Sequence, residues 1–170
     1  ETYDTLFLTG LRIGELCALR WCDLDLEHKK LSVRGSFSTA SRKVTSPKTK
    51  TSIRTIDLPN RLVEELKQRY ERKKKLDGFN DLYYVFGDIA VTWPGTFRYR
   101  FNNDLKNVDV KHITIHGFRH SHASYLLSNP MISESLVAER LGHSIDMLRS
   151  TYAHIYEKRR TALVEYIEKL

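Results

Sequence analysis

Cysteine is scarce in this chain, limited to Cys17 and Cys22. Two thiols so close together cannot form the framework of a disulfide-stabilised fold. Their spacing is not CxxC and no second pair exists, which excludes a structural zinc finger or ribbon. A reducing, cytoplasmic setting is the simple expectation. Long apolar runs are missing too. None approaches the roughly 20 residues needed to span a bilayer, and no signal peptide is read at the start. Internal repeats and low-complexity tracts are also absent, so the chain reads as neither a repeat array nor a compositionally biased segment.

What is present is a chain of 170 residues, 41% of them hydrophobic, which suits one domain with a true core. Lys and Arg number 28 against 21 Asp and Glu, a formal net charge of +7. That excess favours a polyanionic partner, nucleic acid above all, through counterion release. The opening "ETYDTLFLTG" reads as the tail of a helix stopped by Gly10. The expectation is therefore a piece of something longer, with N-terminal domains that precede it.

The elements follow from periodicity and punctuation. Tyr3 to Thr9 reads as helix, Gly10-Leu11-Arg12 as a turn, and Ile13 to Arg20 as a second helix. Leu31 to Leu58 carries β-type runs in "KKLSVRGSF" and "SIRTIDLP", implying two or three antiparallel strands. The basic "STASRKVTSPKTKT" lies between them and puts Lys48 at or near a hairpin tip. "NRLVEELKQRYERKKKL" reads as an amphipathic helix capped by Asn60, "DLYYVFG" as a brief extended segment, and a helix starts near Pro94. Helices are expected over 116–128, 133–141, 145–152 and 157–169. The fold class is mainly α with a small antiparallel β-sheet, α+β.

Four separated basic sites stand out. Arg12 sits in "TGLRIGEL", Lys48 in "SPKTKTSIRTIDL", His116 and Arg119 in "HGFRHSHASYLL", and His143 in "LGHS". His116 and Arg119 are three apart and share a helix face. Two cationic groups side by side call for an anion as third party. Tyr152 follows in "STYAHIY". A phenol is a weak nucleophile, since its pKa lies near 10, and cationic neighbours would stabilise both the phenolate and the charge on the group it attacks. Phosphorus under attack gains negative charge on its oxygens, and planar guanidinium forks pair with such oxygens well. Arg, Lys, His and Tyr together therefore suit phosphoryl transfer without a metal.

The order Arg, Lys, His-x-x-Arg, His, Tyr also resembles the catalytic domain of the tyrosine recombinase (phage integrase) family. The matching pieces are "TGLRIGELCALRWCDLDL", "PKTKTSIRTIDLP", "HGFRHSHASYLL" and "LGHSIDMLRSTYAHIY", spread over most of the chain. Phrases such as "PKTKTSIRTI" are similar to integrases of Gram-positive phages and conjugative transposons. The resemblance implies the tyrosine recombinase catalytic-domain fold, with residues 1–170 as the C-terminal catalytic domain and the N-terminal DNA-binding domains outside this chain. It implies that Arg12 and Arg119 hold the non-bridging oxygens of a DNA phosphate and that Lys48 protonates the leaving 5′ oxygen. His116 would help take the proton from the tyrosine, and His143 would donate a hydrogen bond to a phosphate oxygen. Tyr152 would attack to form a 3′-phosphotyrosyl link, with Glu15 supporting the site. The covalent link conserves the bond's free energy, so the implied reaction needs no cofactor and no metal. The implied partner is double-stranded DNA at recombination sites, with the chain a monomer alone and a tetramer on DNA.

Each residue has a plainer reading. Arg12 can pair with Glu15 on a helix surface, His116 can cap its helix, and His143 can satisfy a loop carbonyl. Tyr156 rivals Tyr152, and Lys50 rivals Lys48. His116, His120 and His122 permit a metal-binding face, yet no Glu follows His116 and no clear third ligand presents itself. His120 and His122 read instead as packing or hydrogen-bonding residues. A non-catalytic DNA-binding module and a type IB topoisomerase-like relaxing enzyme are the alternative functions. In "EKRRTALVEYIEKL", the apolar Ala162, Leu163, Tyr166, Ile167 and Leu170 recur at helical spacing, able to cover the chain's own core or to dock on a neighbour.

Overall fold

Gly10 ends the first helix, α1 (Thr2–Thr9), in a left-handed conformation with φ 68° and ψ 19°. A β-carbon there would lie 2.7 Å from His122 Cδ2 and 2.9 Å from Leu141 Cδ2, so both the dihedral and the space demand glycine. The structure is a computed structural model that describes residues 1–46 and 50–169. Helix α2 (Ile13–Ala18) follows the turn, with Arg12 as its extended N-cap residue. It stops two residues before Arg20. Leu19 turns to extended backbone and its carbonyl accepts the Val85 N–H at 2.9 Å, while Arg20 bridges to Tyr84. The segment "DLYYVFG" thus draws the chain out of the helix.

Among the described residues five strands form two sheets, where two or three strands were expected. β1 (Leu24–Asp25), β2 (Lys30–Val33) and β5 (Arg54–Asp57) make an antiparallel sheet in the order β1-β2-β5. β3 (Ser36–Ser38) and β4 (Lys43–Thr45) make a separate hairpin that turns at 39–42. Part of the polar stretch, Lys43–Thr45, folds back onto the end of the "KKLSVRGSF" run because Phe37 faces Val44 across the hairpin and is buried. Lys48 lies outside the described residues. On β2, Leu31 and Val33 face inward, opposite Ile56 and Arg54 of β5.

Helix α3 (Asn60–Lys73) presents Leu62, Val63 and Leu66 to the core. Its N-cap is Pro59, whose carbonyl accepts the Leu62 and Val63 N–H groups, so Asn60 is the first helical residue and not the cap. The remaining helices are α4 (Pro94–Leu105), α5 (Ile115–Ser128), α6 (Glu134–Leu141), α7 (Ile145–Thr151) and α8 (Ala153–Ile167). Thr114, Ser133 and Ser144 cap α5, α6 and α7 by accepting backbone N–H bonds. Helix α8 starts at Ala153, nearer than the expected 157, because Tyr152 is a single-residue hinge between α7 and α8 at φ −114° and ψ 29°.

Among the described residues two apolar cores result. The larger gathers Leu6, Leu16, Leu31, Ile56, Leu62 and Phe97 among others. The smaller gathers Ala123, Leu127, Val137, Leu141, Leu148 and Tyr152. Helix α5 joins them, with Ile115 in the first and Ala123 and Leu127 in the second. Its polar residues Arg119 and His122 are buried at the junction. The expected apolar stripe of α8 does not cover either core, since Leu163, Tyr166 and Ile167 are exposed.

Gly10→Ala should destabilise the fold by about 1–3 kcal/mol through the left-handed backbone alone, before any clash with His122 is counted. Urea denaturation of the two proteins measures it.

Candidate active site

Arg119 is only 2% exposed, and its guanidinium is bound by the ends of two helices. Nη1 donates to the Gly10 carbonyl at 2.6 Å, just past α1, and Nη2 donates to the Leu141 carbonyl at 2.7 Å, at the end of α6. Helix C-termini carry unpaired carbonyls and a partial negative charge, which suits a cation. Gly142 makes the second turn possible in a left-handed conformation, φ 65° and ψ 45°. Burial lowers the Arg119 pKa to about 10, with Arg12 and Arg54 pushing the same way and Glu15 opposing. The side chain stays charged at neutral pH.

Nη2 of Arg119 also lies 2.8 Å from His143 Nε2. A guanidinium only donates, so Nε2 accepts and the imidazole proton sits on Nδ1. Burial first, then Arg119, Arg12 and Arg54, bring the His143 pKa down to about 4, so the ring is neutral. Its Nδ1 is buried and has no hydrogen-bond partner among the described residues.

Glu15 is the carboxylate of the cluster, and its side chain is 4% exposed. It occupies the third position of α2 and accepts the Arg12 backbone N–H at 2.9 Å, fixing the helix start. Arg12 Nη1 reaches the same carboxylate at 2.8 Å. Arg54 then grips it with both nitrogens, Nη1 to Oε1 at 3.1 Å and Nη2 to Oε2 at 2.9 Å. Burial alone would raise the Glu15 pKa, but Arg54 and then Arg12 outweigh it and hold the carboxyl below its usual range. Arg54 Nε donates to the Arg140 carbonyl at 2.7 Å, which ties β5 to α6. Arg12, Arg54 and Arg119 thus bring three positive charges near one negative charge, a site still short of an anion.

The structure brings Arg12, Glu15, Arg119 and His143 together. Tyr152 lies at the edge of this group and feels the Arg119 charge, but it is 2% exposed. Burial raises its pKa and Arg119 only partly offsets this, so cationic neighbours do not make it a phenolate in the free chain. Its hydroxyl is 3.2 Å from His120 Nδ1. His116 stands behind His120, ring centroids 4.7 Å apart and nearly perpendicular. Partial burial, then His120, Arg119 and Arg12, lower the His116 pKa. Lys48 falls outside the described residues, and the rival Lys50 begins a short 3-10 turn, Lys50–Ser52. Tyr156 faces Glu134, Arg149 and Arg159 instead, away from the arginine cluster.

One contributor escaped the sequence reading, and a second was read only in general terms. Arg54 is in phase with Ile56 and Leu58 on the buried side of its strand, and a charge at such a position is the signal that could have found it. His120 was read as a packing or hydrogen-bonding residue, and only the helix-to-helix geometry puts it against the Tyr152 hydroxyl. The three histidines do not converge on one point: His122 Nε2 accepts from Arg140 Nε at 3.1 Å, whereas His120 turns to Tyr152.

A sequence model of the phage integrase family matches residues 3–159. The ICEBs1 integrase of Bacillus subtilis (strain 168) is 31% identical over 99% of this chain and 48% of its own length. The integrase of Staphylococcus phage L54a is 30% identical over 96% of this chain and 49% of its own length. The chain therefore spans about half the length of these relatives. Among solved structures, the Tn1549 transposon integrase in complex with circular intermediate DNA is similar at a TM-score of 0.71 and 25% identity, over 97% of this chain and 58% of that one. XerA recombinase is similar in fold at a TM-score of 0.68 and 24% identity, over 92% of this chain and 56% of that one. The mainly helical architecture with a small antiparallel sheet is shared with these recombinase catalytic domains.

Arg54→Met leaves Glu15 buried with Arg12 as the one cation still hydrogen-bonded to it among the described residues and should cost about 3–5 kcal/mol in chemical denaturation. Adding Glu15→Gln should recover part of that loss. Acid should also weaken the fold. Burial and then Arg140 bring the His122 pKa from 6.5 down to about 4. Below pH 6.5 the unfolded chain takes up a proton that the folded chain refuses. Stability is thus complete above that value and falls as the pH drops toward about 4. Thermal melting over this range should show the fall, and His122→Gln should make it shallower.

Proposed function

The chain belongs to the phage integrase family, and from that premise we propose that it is the catalytic domain of a tyrosine-type site-specific DNA recombinase. The observation that supports this reading is the clustering of Arg12, Arg119 and His143, with Tyr152 at its edge within reach of the Arg119 charge, from four separate stretches of sequence. The substrate is double-stranded DNA, a reading supported by the Tn1549 transposon integrase solved in complex with circular intermediate DNA, and the reaction is cleavage and rejoining of its strands.

Arg12 and Arg119 pair with the non-bridging oxygens of the scissile phosphate. Arg12 is suited to this because its side chain is 36% exposed and only Nη1 is engaged with Glu15. The unpartnered Nδ1–H of His143 supports its role as a donor to a phosphate oxygen. Glu15 and Arg54 hold Arg12 in place and keep the local charge positive without collapsing it. Tyr152 Oη attacks phosphorus, the bond to the 5′ oxygen breaks, and a 3′-phosphotyrosyl link forms. The leaving oxygen takes a proton from Lys48, and His116 helps to take the proton from the tyrosine. A 5′ hydroxyl from another strand then reverses the attack. The exposed Leu163, Tyr166 and Ile167 on α8 support assembly with neighbouring copies as a tetramer on DNA, the free chain being a monomer.

The test is incubation with a pool of nicked duplexes of randomised sequence in EDTA, followed by denaturing electrophoresis. A covalent protein–DNA adduct is expected, lost in Tyr152→Phe and kept in Tyr156→Phe. An adduct that survives in Tyr152→Phe, or no adduct with any duplex, overturns the reading.

A further inference from the structure

The β3–β4 hairpin has two unlike faces. In its antiparallel register Phe37 stands opposite Val44, Ser36 opposite Thr45 and Ser38 opposite Lys43. Opposed residues point to the same side of a strand pair, and successive residues to opposite sides. One face is therefore apolar and turns to the larger core, where Phe37 is buried. The other carries the hydroxyls of Ser36, Ser38 and Thr45 and the ammonium of Lys43. Helix α2 holds this polar face beside Arg12. A β-carbon on Gly14 would lie 2.7 Å from Ser36 Oγ and 2.8 Å from the Phe37 carbonyl oxygen, so only glycine lets β3 come this close to the start of α2.

The result is a cleft of about 290 Å³, lined by Arg12, Glu15, Ser36, Ser38 and Thr45 among others. Ser36 and Ser38 are half-buried in its wall. Glu15 opposes an anion least where it is already bonded, and each of its oxygens accepts two bonds. The hydroxyls are lightly engaged. Ser38 Oγ accepts the Ser41 N–H at 3.4 Å and keeps its own proton to donate, and Thr45 Oγ1 reaches the Ser36 carbonyl only at 3.4 Å. Arg119, His143 and Tyr152 do not line the cleft. It therefore lies to one side of the scissile-phosphate site and shares Arg12 and Glu15 with it.

We propose that this cleft is a second phosphate subsite. It takes the backbone phosphate next to the scissile one on the same DNA strand, with Ser36, Ser38 and Thr45 donating to its oxygens and Arg12 lying between the two phosphates. This rests on the recombinase reading of the site. Hydroxyls and a guanidinium suit phosphate oxygens, and among the described residues no aromatic ring lines the cleft for a base to stack on. Successive phosphates recur at about 3.4 Å of helix axis along a strand. A second anchor beside Arg12 thus fixes which phosphate meets Arg119 and Tyr152, and the hairpin sets the cleavage register without reading sequence.

The test uses a nicked duplex on which the wild-type chain forms its adduct. A single uncharged methylphosphonate replaces, in turn, each phosphate within two steps of the scissile one, on either strand. Equilibrium binding at fixed salt and single-turnover adduct formation are measured together. In wild type, modification of one phosphate next to the scissile one should weaken binding on the order of tenfold. Ser36→Ala/Ser38→Ala should lose a similar factor on the unmodified duplex, and the same methylphosphonate should then cost it little more. Modification at the other positions should cost the variant as much as it costs wild type. Urea denaturation checks that the double variant folds, and Thr45→Val, which removes one exposed hydroxyl at nearly constant shape, should show the same pattern more weakly. Equal methylphosphonate costs in wild type and in both variants overturn the inference, as does a shared loss that maps to the uncut strand. The recombinase reading survives either outcome, because the wild-type adduct still forms. Absence of a wild-type adduct on every duplex removes that reading and the subsite together.

Discussion

A single buried guanidinium organises this molecule. Arg119 sits where the two apolar cores meet, and it survives there because the carbonyls past α1 and at the end of α6 accept its protons. An unpaired buried charge would cost several kcal/mol. Here each helix end supplies a partner that would itself be unsatisfied without the arginine. Gly10 and Gly142 make both ends possible, since each adopts a positive φ that turns the chain immediately after its helix. Arg119 thereby fixes α1, α5 and α6 relative to one another, and His143, the residue after Gly142, is delivered to its side.

The same logic explains the second buried ion group. Arg54 enters from a strand, Arg12 and Glu15 from a short helix, and the Arg140 carbonyl from α6. Glu15 is fully engaged, with two partners on each oxygen among the described residues. Arg12 is the member that retains exposure, which leaves its remaining donors available to an incoming anion. Among the described residues of the cluster, the Glu15 carboxylate is thus taken up in orienting the arginines, and positive charge is left in excess. Tyr152 is buried beside this cluster, at the single residue that separates α7 from α8.

Much of this was legible in the residues themselves. The apolar periodicity of α3 and α5, the glycine stops after α1 and α6, and the position of Arg12 at a helix start all follow from local rules. The boundaries that moved did so for tertiary reasons. α2 ends early because the Leu19 carbonyl bonds to Val85. The basic segment after β2 forms a hairpin because Phe37 finds a place in the larger core. Asn60 loses the cap position because Pro59 already supplies the carbonyl that starts α3.

The sequence by itself determined the chemical types and their order: two arginines, histidines and a tyrosine at spacings that place them on helix starts and ends. Local rules suffice for that, because helix period, glycine turns and caps act over a few residues. Only the tertiary structure decided that Arg54 grips Glu15, that His120 rather than His116 meets the Tyr152 hydroxyl, and that the phenol is covered. Those outcomes depend on contacts between elements dozens of residues apart, where side-chain direction and burial are settled by packing and not by neighbours in sequence.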